Sequence, residues 1–161
     1  MTLNQLFIIS NIYAMFFWFF MIVLPKRKIT QKIFSSFWLF IPLILLYIYY
    51  LSVSFNIELI EILRDFKLEN VARLFSREGV AGGGWTHFLA VDLFLGRWIY
   101  WQGQEKNIWT AHSLIMCLFF GPVGLLSHII TDAIANKNDD AGGNDPDDQK
   151  SDGEASLSAS K

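Results

Sequence analysis

Two long stretches of this chain contain no charged residue, and they constrain its fold more than any other feature. They cover residues 6–24 and 33–55. A helix needs about 20 apolar residues to cross the roughly 30 Å hydrocarbon core of a bilayer, and each stretch is long enough. The first lacks the basic start and the small-residue cleavage site of a signal peptide. We therefore expect it to be a retained helix.

Two further apolar stretches follow, and they carry polar residues. Residues 85–101 reach the required length if the glycine-rich segment 79–84 begins the helix, and residues 108–130 reach it alone. Charged residues make up 17% of the chain, fewer than the roughly 25% of soluble domains. These patterns predict an all-α integral membrane protein with four transmembrane helices, near residues 4–24, 33–55, 80–102 and 107–131.

The segments outside these helices are of two kinds. Between the second and third helices, apolar residues recur at helical spacing in two offset stripes, which predicts short amphipathic helices at the membrane surface within residues 57–76. The last residues are nearly all polar, Gly or Ala and cannot bury a core. We therefore divide the chain into a membrane domain, 1–134, and a disordered acidic tail, 135–161.

Charge and cysteine content exclude several functions. The net charge of −2 and the lack of a basic cluster argue against nucleic acid as a partner. The single cysteine, Cys117, excludes a disulfide framework and a cysteine-rich metal site. The histidines lack metal-binding spacing, so we expect no metal and no other cofactor. Basic residues after helices 1 and 3 favour both short loops inside and both chain ends outside.

The third helix contains three ionisable residues, His87, Asp92 and Arg97. An ionised group at the centre of a bilayer costs roughly 2.5–3.5 kcal/mol on insertion scales. At about 100° per residue, Asp92 points about 140° away from His87, and Arg97 about 140° further. The helix should therefore have protein on most sides. Asp92 lies near mid-span and is expected to be functional or part of an internal network, whereas Arg97 alternatively serves as a snorkelling anchor.

The fourth helix should pack antiparallel to the third because a short loop joins them. We expect three groups at matching depths: Arg97 with His112, Asp92 with Cys117, and His87 with Gly121 and Pro122. Pro122 would kink the helix and free a carbonyl to which His87 could donate. Gly96, Gly121 and Gly124 would permit close helix packing. His128, on the other side of the fourth helix, is assigned to the interface.

The polar helices also resemble a known family. The segments "WTHFLAVDLFLGRWIYWQGQ" and "HSLIMCLFFGPVGLLSH", with "PLILLYIYY" of the second helix, are similar to the ABA4-like family. Its members are small integral membrane proteins named after a plant plastid protein needed to make neoxanthin from violaxanthin. Because no transit segment precedes the first helix, we expect a cyanobacterial or other bacterial member, in the inner or thylakoid membrane. Plant relatives lie in the plastid membrane.

The resemblance implies a role in carotenoid metabolism. A groove lined by Phe94, Trp98, Phe119 and Phe120 could hold a carotenoid or another apolar, lipid-like ligand. Converting an epoxy-carotenoid into an allenic alcohol needs an acid and a base, for which Asp92 with His87 or His112 are available. Arg97 could stabilise the developing oxyanion. The resemblance implies xanthophyll metabolism, with isomerisation as one candidate activity.

Two alternatives remain open at this point. The chain could be a non-catalytic factor that holds pigment or supports a partner enzyme, alone or as a homo-oligomer in contact with membrane lipids. It could also be a small transporter or proton path that uses Asp92. The sequence does not decide whether the protein is an enzyme.

Overall fold

The computed structural model describes residues 1–55, 60, 62, 64 and 67–142, with side chains through residue 137, and every regular element in these ranges is helical. The all-α prediction is thus confirmed for this part of the chain. The helices are α1 (Leu3–Val23), α2 (Lys28–Ser35), a 3₁₀ turn (Trp38–Phe40), α3 (Ile41–Ser54), α4 (Leu68–Phe75), α5 (Glu78–Glu105), α6 (Ala111–Phe119) and α7 (Gly121–Gly142).

Helix α5 is the centre of the fold and packs against α1 on one side and α3 on another. It runs parallel to α1, since Trp85 Nε1 donates to Asn11 Oδ1 at 2.9 Å while Gly96, further along α5, lies against Trp18, further along α1. It runs antiparallel to α3, because the Phe94 ring meets the Phe40 ring at 5.8 Å while Gly82 faces Tyr50. Protein thus covers the α1 and α3 sides of the third helix, as predicted, whereas Phe88, Val91 and Phe94 are about half exposed on another side.

Glycines in α5 allow its neighbours to come this close. A Cβ added to Gly82 would overlap the Tyr50 ring, and one added to Gly96 would overlap the Trp18 ring. Both aromatic side chains are almost completely buried. The large rings of α1 and α3 thus fill space that a side chain on α5 would occupy, and this interlocking fixes the three helices in register.

The predicted fourth helix, 107–131, is wrong as a single element, because the chain turns back on itself at Phe120. Ser113 hydrogen-bonds Ser127 across the turn at 3.0 Å, and His112 bonds Thr131 at 2.9 Å. Helices α6 and α7 therefore form an antiparallel hairpin. Nearest the turn, a Cβ on Gly124 would overlap the backbone of Cys117.

The order of residues explains why the helix breaks at this point. Phe120 has non-helical backbone angles, φ −146° and ψ 77°, and ends α6. Its carbonyl accepts bonds from Val123 N at 2.8 Å and Gly124 N at 3.0 Å. Pro122 has no N–H and fits the first turn of a new helix, where that donor would have no partner. Pro122 therefore opens α7 and does not kink a continuous helix.

The hairpin also determines to which end of α5 the helix α7 returns. Near the end of α5, Lys106 Nζ bonds Asp132 Oδ1 of α7 at 2.5 Å. At about 1.5 Å per residue, α6 is about 13 Å long and α5 about 42 Å. The tip of the hairpin thus reaches about the middle of α5, and α7 returns to the end of α5 from which α6 started.

Other boundaries differ less from the predictions. The second apolar stretch divides into α2, the 3₁₀ turn and α3, and α4 confirms an amphipathic helix in its range, with Leu74 buried. The first predicted interfacial helix falls largely on residues outside the described ones. Helix α7 continues to Gly142, past the predicted boundary at 134, whereas residues 143–161 of the predicted tail lie outside the described residues.

By length and hydropathy, one described helix is suited to cross a membrane by itself, namely α1. A second candidate combines Lys28–Ser35 with Trp38–Ser54, two parts that meet at an angle of 73°. The loop after α1 and the loop after α5 lie at the same end of the fold, because Lys26, Gln104 and Asn107 line one cavity.

The hairpin yields a test of the fold. Gly124→Ala should destabilise the protein by about 1–3 kcal/mol or more, because the added Cβ meets backbone atoms of Cys117 that cannot move aside. The matched control is Gly84→Ala, whose added Cβ would meet the side chain of Phe75 on α4, which can move aside. Thermal unfolding in detergent measures both. Equal stability of the two variants would contradict the hairpin.

Candidate functional site

Asp92 lies at the middle of α5, where the tip of the hairpin reaches the helix. A Cβ added to Gly121 would overlap Asp92 Oδ1, so the carboxylate lies directly against the backbone of Gly121 and would have to shift to admit a side chain there. Cys117 Sγ lies 3.6 Å from the main-chain oxygen of Asp92, to which it donates. The predicted depth match of Asp92 with Cys117 is confirmed, and Gly121 proves to be a neighbour of Asp92.

The surroundings of the Asp92 carboxylate combine a favourable field with an open side. Gly121 is the first residue of α7, and a helix N-terminus carries partial positive charge that favours an anion. The Asp92 side chain is half-buried, and no hydrogen bond to its carboxylate is recorded within the described ranges. The carboxylate is therefore held in place by packing while its oxygens remain available to a ligand.

His87 lies one turn and a half before Asp92 on the same helix. The two side chains project about 140° apart around the helix axis. The exposed imidazole lies beside the Tyr47 ring of α3, with ring centroids 5.7 Å apart, and not against the backbone at Pro122 as expected. It also lines a cavity of about 290 Å³ between α3, α4 and α5. His87 and Asp92 thus offer two proton-transfer groups within one region.

Arg97 is directed towards α2 and not towards His112. Its Nε donates to the carbonyl of Phe34 at 2.7 Å, and Trp101 Nε1 donates to the same oxygen at 3.1 Å. The Arg97 guanidinium also stacks on the Phe37 ring at 4.2 Å. These bonds satisfy a carbonyl in the last turn of α2, which no later residue of that helix can reach. Arg97 is therefore an anchor for α2.

His112 belongs to a second polar cluster near the end of α5. Thr131 Oγ1 donates to Ser127 O at 2.8 Å, so the hydroxyl must accept from His112 Nε2. Nε2 therefore carries a proton, and the buried Nδ1 has no hydrogen-bond partner among the described residues. The structure thus places His112 away from the hairpin tip at which Asp92 lies.

The assignment of His128 to the interface is wrong. Its side chain is 1% exposed and meets the Trp98 ring edge-on, with centroids 5.3 Å apart. The sequence argument placed it by its angle around a single helix, whereas the hairpin turns that side of α7 towards α5. A signal was present in the sequence: Ser113, Ser127 and Thr131 are polar at spacings that match across a turn.

The four aromatic residues predicted to hold a ligand are all exposed: Phe94 by 50%, Trp98 by 40%, Phe119 by 70% and Phe120 by 67%. Phe94 and Trp98 lie on the face of α5 that also carries His87. Phe119 and Phe120 form the tip of the hairpin. The hairpin stops halfway along α5 and does not cover the first half of that helix. Phe88, which lies in that first half, is therefore also exposed, by 56%. An apolar surface therefore surrounds the two proton-transfer groups.

These features define an all-helical protein with a carboxylate and an imidazole that face an apolar aromatic surface. The chain belongs to the ABA4-like family, described as ABA DEFICIENT 4-like, which matches residues 5–128. It is 37% identical over 138 residues to Protein ABA DEFICIENT 4, chloroplastic, of Arabidopsis thaliana, a match that covers 83% of this chain and 63% of that relative. The chain thus spans less than two thirds of the relative's length.

The family assignment confirms the resemblance noted in the sequence. The relative is described as chloroplastic, and the expected bacterial origin of this chain stays a prediction. No solved structure matches the chain. Within the described residues, no group of three or more His, Cys, Asp or Glu side chains is placed to hold a metal ion.

The role of Arg97 as an anchor can be tested by stability. Arg97→Lys should lower the free energy of unfolding by about 1 kcal/mol, because lysine lacks the planar group that bonds Phe34 and stacks on Phe37 together. Trp101→Phe removes the second donor to the same carbonyl, and the double variant should lose more than the sum. Thermal unfolding of the four proteins measures this coupling. Additive losses would show that the two side chains do not share this role.

Proposed function

We propose that this chain is an integral membrane protein of xanthophyll metabolism that isomerises an epoxy-carotenoid within the bilayer. The family and the relative named ABA DEFICIENT 4 support the coarse assignment. The observation that carries the finer one is the half-buried Asp92 carboxylate, which lies against Gly121 at the exposed, aromatic tip of the hairpin, on the helix that also carries His87. A pair of this kind suits proton transfer on an apolar molecule.

Exposed apolar side chains on five helices support the membrane assignment. Soluble monomers seldom expose contiguous apolar patches larger than a few hundred Å². Here such residues occur along every long helix, and they include Ile12 and Phe16 of α1, Leu45 and Ile48 of α3, Val91 and Phe94 of α5, Met116 of α6, and Leu126 and Ile130 of α7. A hydrocarbon solvent removes the cost of exposing them.

The fold then implies three crossings and one hairpin in place of four crossings. Helices α1 and α5, and α3 with its bent lead-in, run the full depth of the bundle. The α6–α7 hairpin enters from the side of the short loops and returns to it. Non-helical backbone at membrane depth is tolerated where protein covers it, and Gly121 is buried against Asp92 of α5 at that point. The end of α7 therefore lies on the same side as Lys26 and Lys106.

The chemistry that we propose conserves atoms and charge. One group protonates the epoxide oxygen as its bond to the ring carbon breaks. The other removes a proton from the adjoining polyene carbon, and the released electron pair forms the cumulated double bond of the allene. The product is an isomer of the substrate. Asp92 and His87 exchange the transferred proton afterwards, so no cofactor or co-substrate is consumed.

The Asp92 carboxylate is the group to test. Asp92→Asn keeps the size of the side chain and should fold normally, but it should abolish the pigment change made by the wild-type gene in a deletion strain. Loss of a general acid or base lowers rates by about 10²–10⁴-fold. Asp132→Asn, which removes the charge that pairs with Lys106 at a partly exposed position, should keep activity. Pigment chromatography of the three strains measures the result.

Two outcomes would change the proposal. If Asp92→Asn accumulates normally and restores the pigment profile, the carboxylate is structural and the site assignment fails. If the deletion strain has unchanged pigments, yet the purified wild-type protein carries carotenoid, the pigment-holding alternative is correct. The exposed aromatic residues around the hairpin tip are the observation that favours that alternative.

The topology can be tested by cysteine labelling. Lys28→Cys, Gln104→Cys and Lys137→Cys should react with an impermeant maleimide from one side of sealed vesicles, and Arg73→Cys from the other. Cys117 is buried and should stay unlabelled, so the wild-type chain serves as background. Labelling of Lys137→Cys from the side of Arg73→Cys would restore the fourth crossing and contradict the hairpin.

A further inference from the structure

A cavity of about 290 Å³ lies between α3, α4 and α5, next to His87. Its wall is apolar along most of its length, with contributions from Tyr47, Leu51 and Leu74. Leu51 and Phe88 are 47% and 56% exposed at its edge, so the cavity opens sideways from the helix bundle. This volume is just below the roughly 300–1,000 Å³ of ligand pockets. The cavity can therefore hold one end of a long ligand, but it is too small for the whole molecule.

Glycines create this space and bring α4 over it. Gly79, Gly83 and Gly84 of α5 line the cavity, and a Cβ on Gly84 would overlap the edge of the Phe75 ring. Phe75 and the buried Leu74 belong to α4, which therefore forms one wall. The cavity is thus bounded on three sides by helices and has a defined width.

One polar atom in the wall has no partner. Ser54 Oγ is buried and makes no hydrogen bond within the described part of the chain. It lies against Gly79, where an added Cβ would overlap it. A buried hydroxyl without a partner costs free energy, whereas Ser52, two residues earlier, donates to Tyr49 O at 2.7 Å. Ser54 also lines the cavity, so this unpaired hydroxyl belongs to the cavity wall.

We propose that this cavity binds the hydroxylated end ring of a polyene, with Ser54 as the partner of the ring hydroxyl. The wall accepts an apolar ring, the single unpaired hydroxyl selects one polar substituent, and His87 lies where the ring joins the chain. The polyene then continues along Val91, Phe94 and Trp98, which share one exposed face of α5. This inference rests on the proposed function and adds the feature by which the substrate is recognised.

The test compares two polyenes that differ only in their end rings. Zeaxanthin carries ring hydroxyls and β-carotene does not, and binding of each to the purified full chain in nanodiscs is measured by quenching of tryptophan fluorescence. Wild type should bind zeaxanthin about 2- to 10-fold more tightly, the effect of one net hydrogen bond. Ser54→Ala should reduce this ratio to about one, whereas the control Ser52→Ala should leave it unchanged. Leu51→Trp, which fills the cavity from an exposed position, should weaken binding of both.

The possible results separate this inference from the proposed function. If wild type binds both polyenes equally, or if Ser54→Ala keeps the preference, the end-ring site is wrong while a carotenoid role stands. If neither polyene binds to any variant, the proposed function fails as well. A preference that disappears in Ser54→Ala and persists in Ser52→Ala supports the site, because both variants lose one serine hydroxyl from the same helix.

Discussion

The contact between the Asp92 carboxylate and Gly121 is the constraint on which the rest of this fold depends. It places the tip of the hairpin at the middle of α5, and a Cβ at Gly121 would displace the Asp92 carboxylate from its present position. It also brings the start of α7 to a carboxylate, where the partial positive charge of a helix N-terminus acts on it. A single contact thus sets the depth of the hairpin and the electrostatics of the site.

In the bilayer that we propose as the solvent, a half-depth hairpin has two consequences. Its turn exposes backbone groups where no water can bind them, and the chain reduces that cost with Pro122, which has no N–H, and with Phe120 O, which accepts two bonds. The hairpin also leaves the first half of α5, before Asp92, uncovered on the side against which the hairpin packs. Ligand access to Asp92 and His87 and the exposure of Phe88 therefore have one structural cause.

The sequence predicts the central helix well, and it predicts the hairpin poorly for a physical reason. Length and hydropathy measure how apolar a segment is. They do not distinguish one helix that crosses the membrane from two shorter apolar helices that fold back on each other, because both contain the same residues. The helical turn of 100° per residue correctly implied that α5 has neighbours on most sides, and the loop length correctly placed Cys117 beside Asp92. The assignment of Pro122 to a kink led to the wrong position for His128, because a reversal of direction changes which side of α7 faces inward.

The hairpin also separates two pairs of polar residues, Asp92 with His87 and His112 with His128. His112 and His128 lie where α7 returns towards the end of α5, near the pair formed by Lys106 and Asp132. Asp92 lies at the tip, and His87 lies beyond it, beside the cavity. A substrate that reaches the tip from the side therefore meets Asp92 and His87 first, while Trp98 and the hairpin cover His128. This order of burial makes His87 the natural partner of Asp92, because proton transfer to a substrate requires direct contact or a single bridging water.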